Sequence, residues 1–147
     1  MTDAGQTAHF TKNVTAAPET AALIRREFSS WLSTHLDLDP TKASDVVLAV
    51  NEALANAAEF AYVNAPAPGA MHVEADYDED TAVLTVTVAD EGQWRIAETD
   101  HKNPARGRGI PLMRALTDRA MIDSNHSGTK VRLQWDHIRQ NCGSRTT

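Results

Sequence analysis

Residues 70–90 read AMHVEADYDEDTAVLTVTVAD, and their alternation decides the architecture. Met71, Val73, Ala75 and Tyr77 alternate with polar residues, and Asp78-Glu79-Asp80 supplies a turn. Leu84, Val86 and Val88 then alternate with Val83, Thr85 and Thr87. A period of two sends alternate side chains to opposite faces, so 70–77 and 82–89 are predicted to form a hairpin. One of its faces is apolar and must be covered.

The flanking segments supply that cover. Upstream, Ile24, Phe28, Trp31 and Leu32 recur at helical spacing, and Pro18 suits a first helical turn, which predicts a helix over 18–34. Asp39-Pro40 places an N-cap acid before a proline and starts a second helix that runs to about Val63. Its expected apolar stripe is Val47, Val50, Leu54, Ala57, Ala58 and Ala61. Phe10, Lys12 and Val14 share one parity and suggest a strand over 9–15.

Downstream, residues 93–106 are polar and aperiodic, as expected of a loop. Pro111 opens a short helix, about 110–118, with Leu112, Met113 and Leu116 facing inward. Residues 119–124 and 129–135 form a second hairpin around Asn125-His126-Ser127-Gly128. The order β-α-α-β-β-α-β-β predicts an α+β fold, a two-layer sandwich of a mostly antiparallel sheet with three helices on one face. The single domain is expected over 9–136, between a flexible N-terminus, 1–8, and a polar tail, 137–147.

The bulk properties narrow the function. With 147 residues, 41% hydrophobic and 23% charged, the chain can bury one ordinary core. A net charge of −6 disfavours a broad grip on phosphate backbones, so nucleic acid is not expected as a partner. Cys142 is the only cysteine, which excludes an intrachain disulfide and a Cys-based metal site. No apolar leader or bilayer-length stretch stands out, so a soluble, cytoplasmic protein with no membrane contact is the expectation. The six histidines show no ligand spacing, and no metal site built from them is expected. Neither a Walker-type phosphate loop nor a serine-nucleophile elbow is present.

Several residues remain that could carry chemistry. Glu52 and Asn56 lie one helical turn apart, nearly opposite the expected apolar stripe. On pattern alone this is a solvated helix face; the functional alternative is a general base, Glu52, beside an oxygen ligand for Mg²⁺, Asn56. Asp90 follows the 82–89 strand, and Gly92 allows a sharp turn after it. The pair is either a plain Asp-x-Gly turn or a carboxylate held to accept a bond from an exocyclic amine such as adenine's. Gly107-Arg108-Gly109 precedes a helix, where glycines and the helix dipole favour phosphate, although many loops share the pattern. Thr129 shares parity with Val131 and Leu133, so its hydroxyl faces the helical layer.

As an ordered set these segments resemble the boxes of the GHKL, or Bergerat-fold, ATPases. Asn51-Glu-Ala-Leu-Ala-Asn56-Ala-Ala-Glu-Phe-Ala-Tyr62 resembles the N-box and Asp90-Glu-Gly-Gln-Trp94 the G1 box. Gly107-Arg-Gly-Ile-Pro-Leu-Met113 looks like the G2 box, and Gly128-Thr-Lys-Val131 like the last box. The length and the Gly-Arg-Gly-Ile form are closest to the RsbW/SpoIIAB-type anti-sigma-factor serine kinases.

The resemblance implies an ATP–Mg²⁺ site between the N-box helix and the 93–106 loop, which would be an ATP lid. Glu52 would be the catalytic base and Asn56 the magnesium ligand. Asp90 would read the adenine amine, helped by Thr129 and a water, while Gly92 shapes the pocket. Gly107, Arg108 and Gly109 would meet the phosphates, with Ile110 in the same ATP-binding segment. Such proteins sequester a sigma factor, phosphorylate a serine on a STAS-domain antagonist and often act as homodimers. Two positions depart from the pattern: Phe60 stands where relatives carry His, and Trp94 replaces the second glycine of the G1 box. A nucleotide-responsive adaptor that holds its partner without phosphorylating it is the alternative. Transfer to histidine would need another protein as acceptor, since no helical pair with a phosphoacceptor His precedes the set.

Overall fold

The computed structural model describes residues 7–60, 69–91, 109–125 and 128–140. The predicted hairpin is present as β3 (Ala70–Asp78) and β4 (Val83–Asp90). Met71, Val73, Ala75 and Tyr77 are buried on β3, as are Leu84, Val86, Val88 and Asp90 on β4. β1 (Thr7–Thr15) pairs with β3, and β5 (Arg119–Asn125) pairs with β6 (Gly128–Trp135). The resulting five-stranded sheet has the order β1-β3-β4-β6-β5, with every neighbour antiparallel.

Among the described residues, three helices cover one face of this sheet: α1 (Pro18–His35), α2 (Pro40–Phe60) and α3 (Gly109–Leu116). α1 packs on β1, α2 on β4 and β6, and α3 on β5, while α2 also touches both other helices. The fold is therefore the expected two-layer α+β sandwich. None of the described helices is long and apolar enough to cross a membrane.

Local chemistry accounts for the helix placement. Asp39 caps α2, its Oδ1 accepting the Lys42 backbone N–H at 2.8 Å, before Pro40 in the first turn. On α1, Ile24, Phe28, Trp31 and Leu32 are all buried. Phe28 stacks on Trp31 at 5.9 Å between ring centroids and meets Phe10 of β1 edge-on at 5.8 Å, which locks α1 to the sheet. The buried Trp135 indole N–H donates to the Leu116 carbonyl at 2.8 Å and satisfies an acceptor at the end of α3.

The sheet runs in transverse rows. Phe10, Ala75, Val86, Leu133 and Ala120 align across all five strands on the helix side. Two rows further on, Val14, Met71, Asp90, Thr129 and Ser124 align in the same way. On β4 and β6 the apolar series thus ends in polar residues, Asp90 and Thr129, still facing the helices.

The structure departs from the sequence reading in four places. α2 buries Val46, Ala49, Val50, Ala53, Leu54 and Ala57, whereas Val47 and Ala58 are only half-buried, because α2 is enclosed by α1, α3, β4 and β6. Two short strands lie outside the sequence reading: β2 (Leu36–Asp37) pairs with β7 (Arg139–Gln140) in a separate ribbon. The segment expected to be a polar tail from residue 137 contains Ile138 and β7. There Ile138 is buried, its carbonyl accepts the Tyr77 hydroxyl at 2.7 Å, and its N–H donates to Ala82 O at 2.9 Å. Finally, α3 begins at Gly109 rather than after it and ends at Leu116. The 93–106 loop and the last residues of the second helix, 61–63, lie outside the described residues.

Candidate functional site

The rows of the sheet place the first part of the site. Asp90 is the last residue of β4 and continues the inward parity of Leu84, Val86 and Val88. Its carboxylate is directed at the helical layer, not at the turn that follows. Thr129 lies directly opposite on β6, Met71 opposite on β3, and Ser124 beyond Thr129 on β5. The Ser124 and Thr129 hydroxyls are hydrogen-bonded at 3.0 Å. Ser124 carried no signal in the sequence, because its place beside Thr129 depends on register alone.

Gly128 explains how two strands close so tightly at this end. It has φ +142°, and a Cβ there would stand 2.0 Å from the Asp90 carbonyl oxygen and 2.7 Å from Glu91 Cα. Only glycine permits that approach, which sets the backbone on which Asp90 is presented.

α2 supplies the second part. Asn56 is 7% exposed, so it does not lie on a solvated face as expected. The buried sector is centred on Val46, Ala53 and Ala57, and at the helical period Asn56 falls about a quarter turn from that centre. Glu52 lies about a third of a turn away on the same flank, and is half-buried. Asn56 is inside and Glu52 remains reachable.

Burial separates these positions from the rest of the polar residues. Among the described residues the buried polar side chains are Asn56 (7% exposed), Asp90 (7%) and Thr129 (2%). All three stand out in the sequence as candidates for chemistry. Burying polar groups costs stability unless hydrogen bonds offset the loss of water, so such groups seldom collect in an apolar core without a use.

The phosphate-binding segment is only partly described. Gly109 and Ile110 form the first turn of α3, where backbone N–H groups lack intrahelical acceptors. Gly92, Gly107 and Arg108 lie outside the described residues, as does the side chain of Phe60. A cleft of about 400 Å³ between α1 and α2, lined by Arg25, Ser29, Ser44, Val47 and Leu48 among others, contains none of the predicted site residues.

Comparison with known proteins agrees with this geometry. Residues 14–135 match the model of the histidine kinase-like ATPase domain. The chain belongs to that family. Its fold is also similar to that in the crystal structure of the RsbU and RsbW domains of Rv1364c from Mycobacterium tuberculosis. The match has a TM-score of 0.69 at 24% sequence identity and covers 90% of this chain. The chain spans 33% of that larger one. Membership makes this histidine kinase-like ATPase domain an ATP-binding, kinase-like module of the GHKL type.

Proposed function

We propose that this GHKL domain is an ATP-dependent protein-serine kinase and anti-sigma factor. It would sequester a sigma factor and phosphorylate a serine on a STAS-domain antagonist, acting as a homodimer. The observation that carries the nucleotide site is the buried polar set Asn56, Asp90 and Thr129 within an ATPase-family fold. The kinase and anti-sigma parts rest on the resemblance of the ordered motifs to RsbW-type proteins. A structural neighbour with an RsbW domain supports the fold that this requires.

Each residue has a role in this reading. The Asp90 carboxylate accepts a hydrogen bond from the adenine amine, and the Thr129 hydroxyl assists it through a water. Gly92 leaves room for the base. The amides of Gly107, Gly109 and Ile110, at and before the start of α3, face the phosphates, and Arg108 offsets their charge.

The donor set fits Mg²⁺, because Asn56 offers a hard amide oxygen and water and phosphate oxygens can complete an octahedron. Bound there, the ion would neutralise charge on the triphosphate. Glu52, one turn earlier and reachable, accepts the proton of the incoming serine hydroxyl. As that serine Oγ bonds to the γ-phosphorus, the bond to the bridging oxygen breaks and ADP leaves. Phosphoryl transfer depends mainly on positioning and charge stabilisation, so this small set suffices.

Glu52→Gln tests the catalytic half. The variant should bind ATP like the parent protein but lose about 10²- to 10⁴-fold in transfer rate, as expected for removal of a general base. The assay follows radiolabelled phosphate from ATP into a co-purified antagonist. Equal transfer by the variant rejects Glu52 as base. Nucleotide binding with no transfer by the parent protein supports the adaptor instead.

A further inference from the structure

The open face of the sheet, away from the helices, carries a second cluster that the nucleotide site does not use. His9 on β1 is the register partner of Asp76 on β3, and Glu74 lies two residues earlier on the same face as Asp76. His9 Nδ1 is 2.5 Å from Asp76 Oδ1, and His9 Nε2 is 3.7 Å from Glu74 Oε2. One ligand atom from each of the three residues can be chosen so that all lie within 4.8 Å of one another.

For the neutral imidazole, hydrogen bonding selects the metal-binding tautomer. An ionised carboxylate can only accept, so in the neutral ring Nδ1 donates to Asp76 and Nε2 keeps its lone pair. The Thr11 hydroxyl, 2.6 Å from Nε2, donates to that lone pair. A χ1 rotation of the exposed Thr11 side chain carries Oγ1 away and frees Nε2 beside Glu74. A carboxylate bonded to the far nitrogen of a histidine is the arrangement that orients ligating histidines and raises their basicity.

The spacing and charge suit a cation. Zinc-type ions bind nitrogen and carboxylate oxygen at roughly 2.0–2.2 Å, so tetrahedral ligand atoms are about 3.4 Å apart. The 3.7 Å between His9 Nε2 and Glu74 Oε2 requires only a small closure. Among the described residues, the basic side chains close to Glu74 and Asp76 are His9 and His72, and neither acid pairs with a lysine or arginine. Lys12, the nearby cation on β1, has the opposite parity and pairs with Glu27 of α1 at 2.9 Å. Thr85 and Thr87, opposite Asp76 and Glu74 on β4, are neutral.

We propose that His9 and Glu74 bind a divalent transition-metal cation of the zinc type on the open sheet face, with Asp76 orienting His9 and water completing the coordination. The imidazole selects a borderline ion over Mg²⁺, which prefers oxygen donors. Sequence spacing could not reveal the site, because His9 is 65 and 67 residues from its two acidic partners and only the β1–β3 register joins them.

The test is calorimetric titration of the nucleotide-free full chain with zinc chloride, with magnesium chloride as comparison. Saturable zinc binding is expected, and His9→Asn and Glu74→Gln should each weaken it at least tenfold. Asp76→Asn should weaken it by about 10- to 100-fold, and should shift the His9 ring nitrogens in ¹⁵N NMR away from the single Nδ1–H tautomer. All three side chains are about half exposed, at 41–50%, so unchanged thermal melts should accompany these losses. Glu52→Gln, which alters only the proposed nucleotide site, should bind zinc normally. The proposal is overturned if the parent protein shows no saturable zinc binding, or if His9→Asn binds as the parent does. Loss of zinc binding in Glu52→Gln with retention in His9→Asn also overturns it.

Discussion

At position 90 the inward series Leu84, Val86, Val88 continues with a carboxylate, so the strand's next buried side chain is ionisable. Thr129 does the same on β6, where it continues the inward series of Trp135, Leu133 and Val131. This parity was legible in the sequence for Thr129. For Asp90 it was concealed, because the apolar alternation stops at Val88 and the Asp-x-Gly pattern that follows reads as a turn. In the proposed adenine-reading role, the Asp90 carboxylate should matter to ligand affinity more than to folding. Asp90→Asn is expected to weaken ATP binding about 10- to 100-fold, in line with roughly 1.5–3 kcal/mol for a hydrogen bond to a charged group. Titration of the folded variant with ATP checks this, and unchanged affinity removes Asp90 from the adenine contact.

At the scale of elements, β6 begins on a backbone conformation that only glycine holds without strain. Gly128→Ala should cost about 1–3 kcal/mol in urea unfolding, the usual range for a strained backbone position, and should weaken nucleotide binding by moving Asp90. An unchanged unfolding midpoint contradicts the close approach described for these strands. At the start of α2, Asp39→Ala should cost about 1 kcal/mol while Asp39→Asn restores most of it, as for other N-caps. Equal midpoints for the alanine and asparagine variants argue against the cap. Both hairpins and the three described helices were legible because strict alternation, Asp39-Pro40 and the Phe28–Trp31–Leu32 spacing are local signals. β2 and β7 were not, since two-residue strands have no period and Ile138 is a lone apolar residue in a polar segment. The face of α2 was misjudged because periodicity gives the direction of one stripe, whereas neighbours on several sides widen the buried sector to include Asn56.

At the scale of the molecule, the sheet separates two chemistries. Its covered face ends in Asp90 and Thr129 on the side that α2 packs against, and its open face carries His9, Glu74 and Asp76. The candidate site was legible as an ordered set of motifs, but its physical basis, the burial of Asn56 on α2 and of Asp90 and Thr129 on the sheet, emerges only with the fold. A ligand that binds the folded state alone also stabilises it by mass action, so nucleotide should raise the melting temperature. The most direct measurement is calorimetric titration of the folded chain with ATP or ADP in the presence of Mg²⁺. The account predicts saturable nucleotide uptake that Asp90→Asn weakens. A folded chain that takes up neither nucleotide would contradict it.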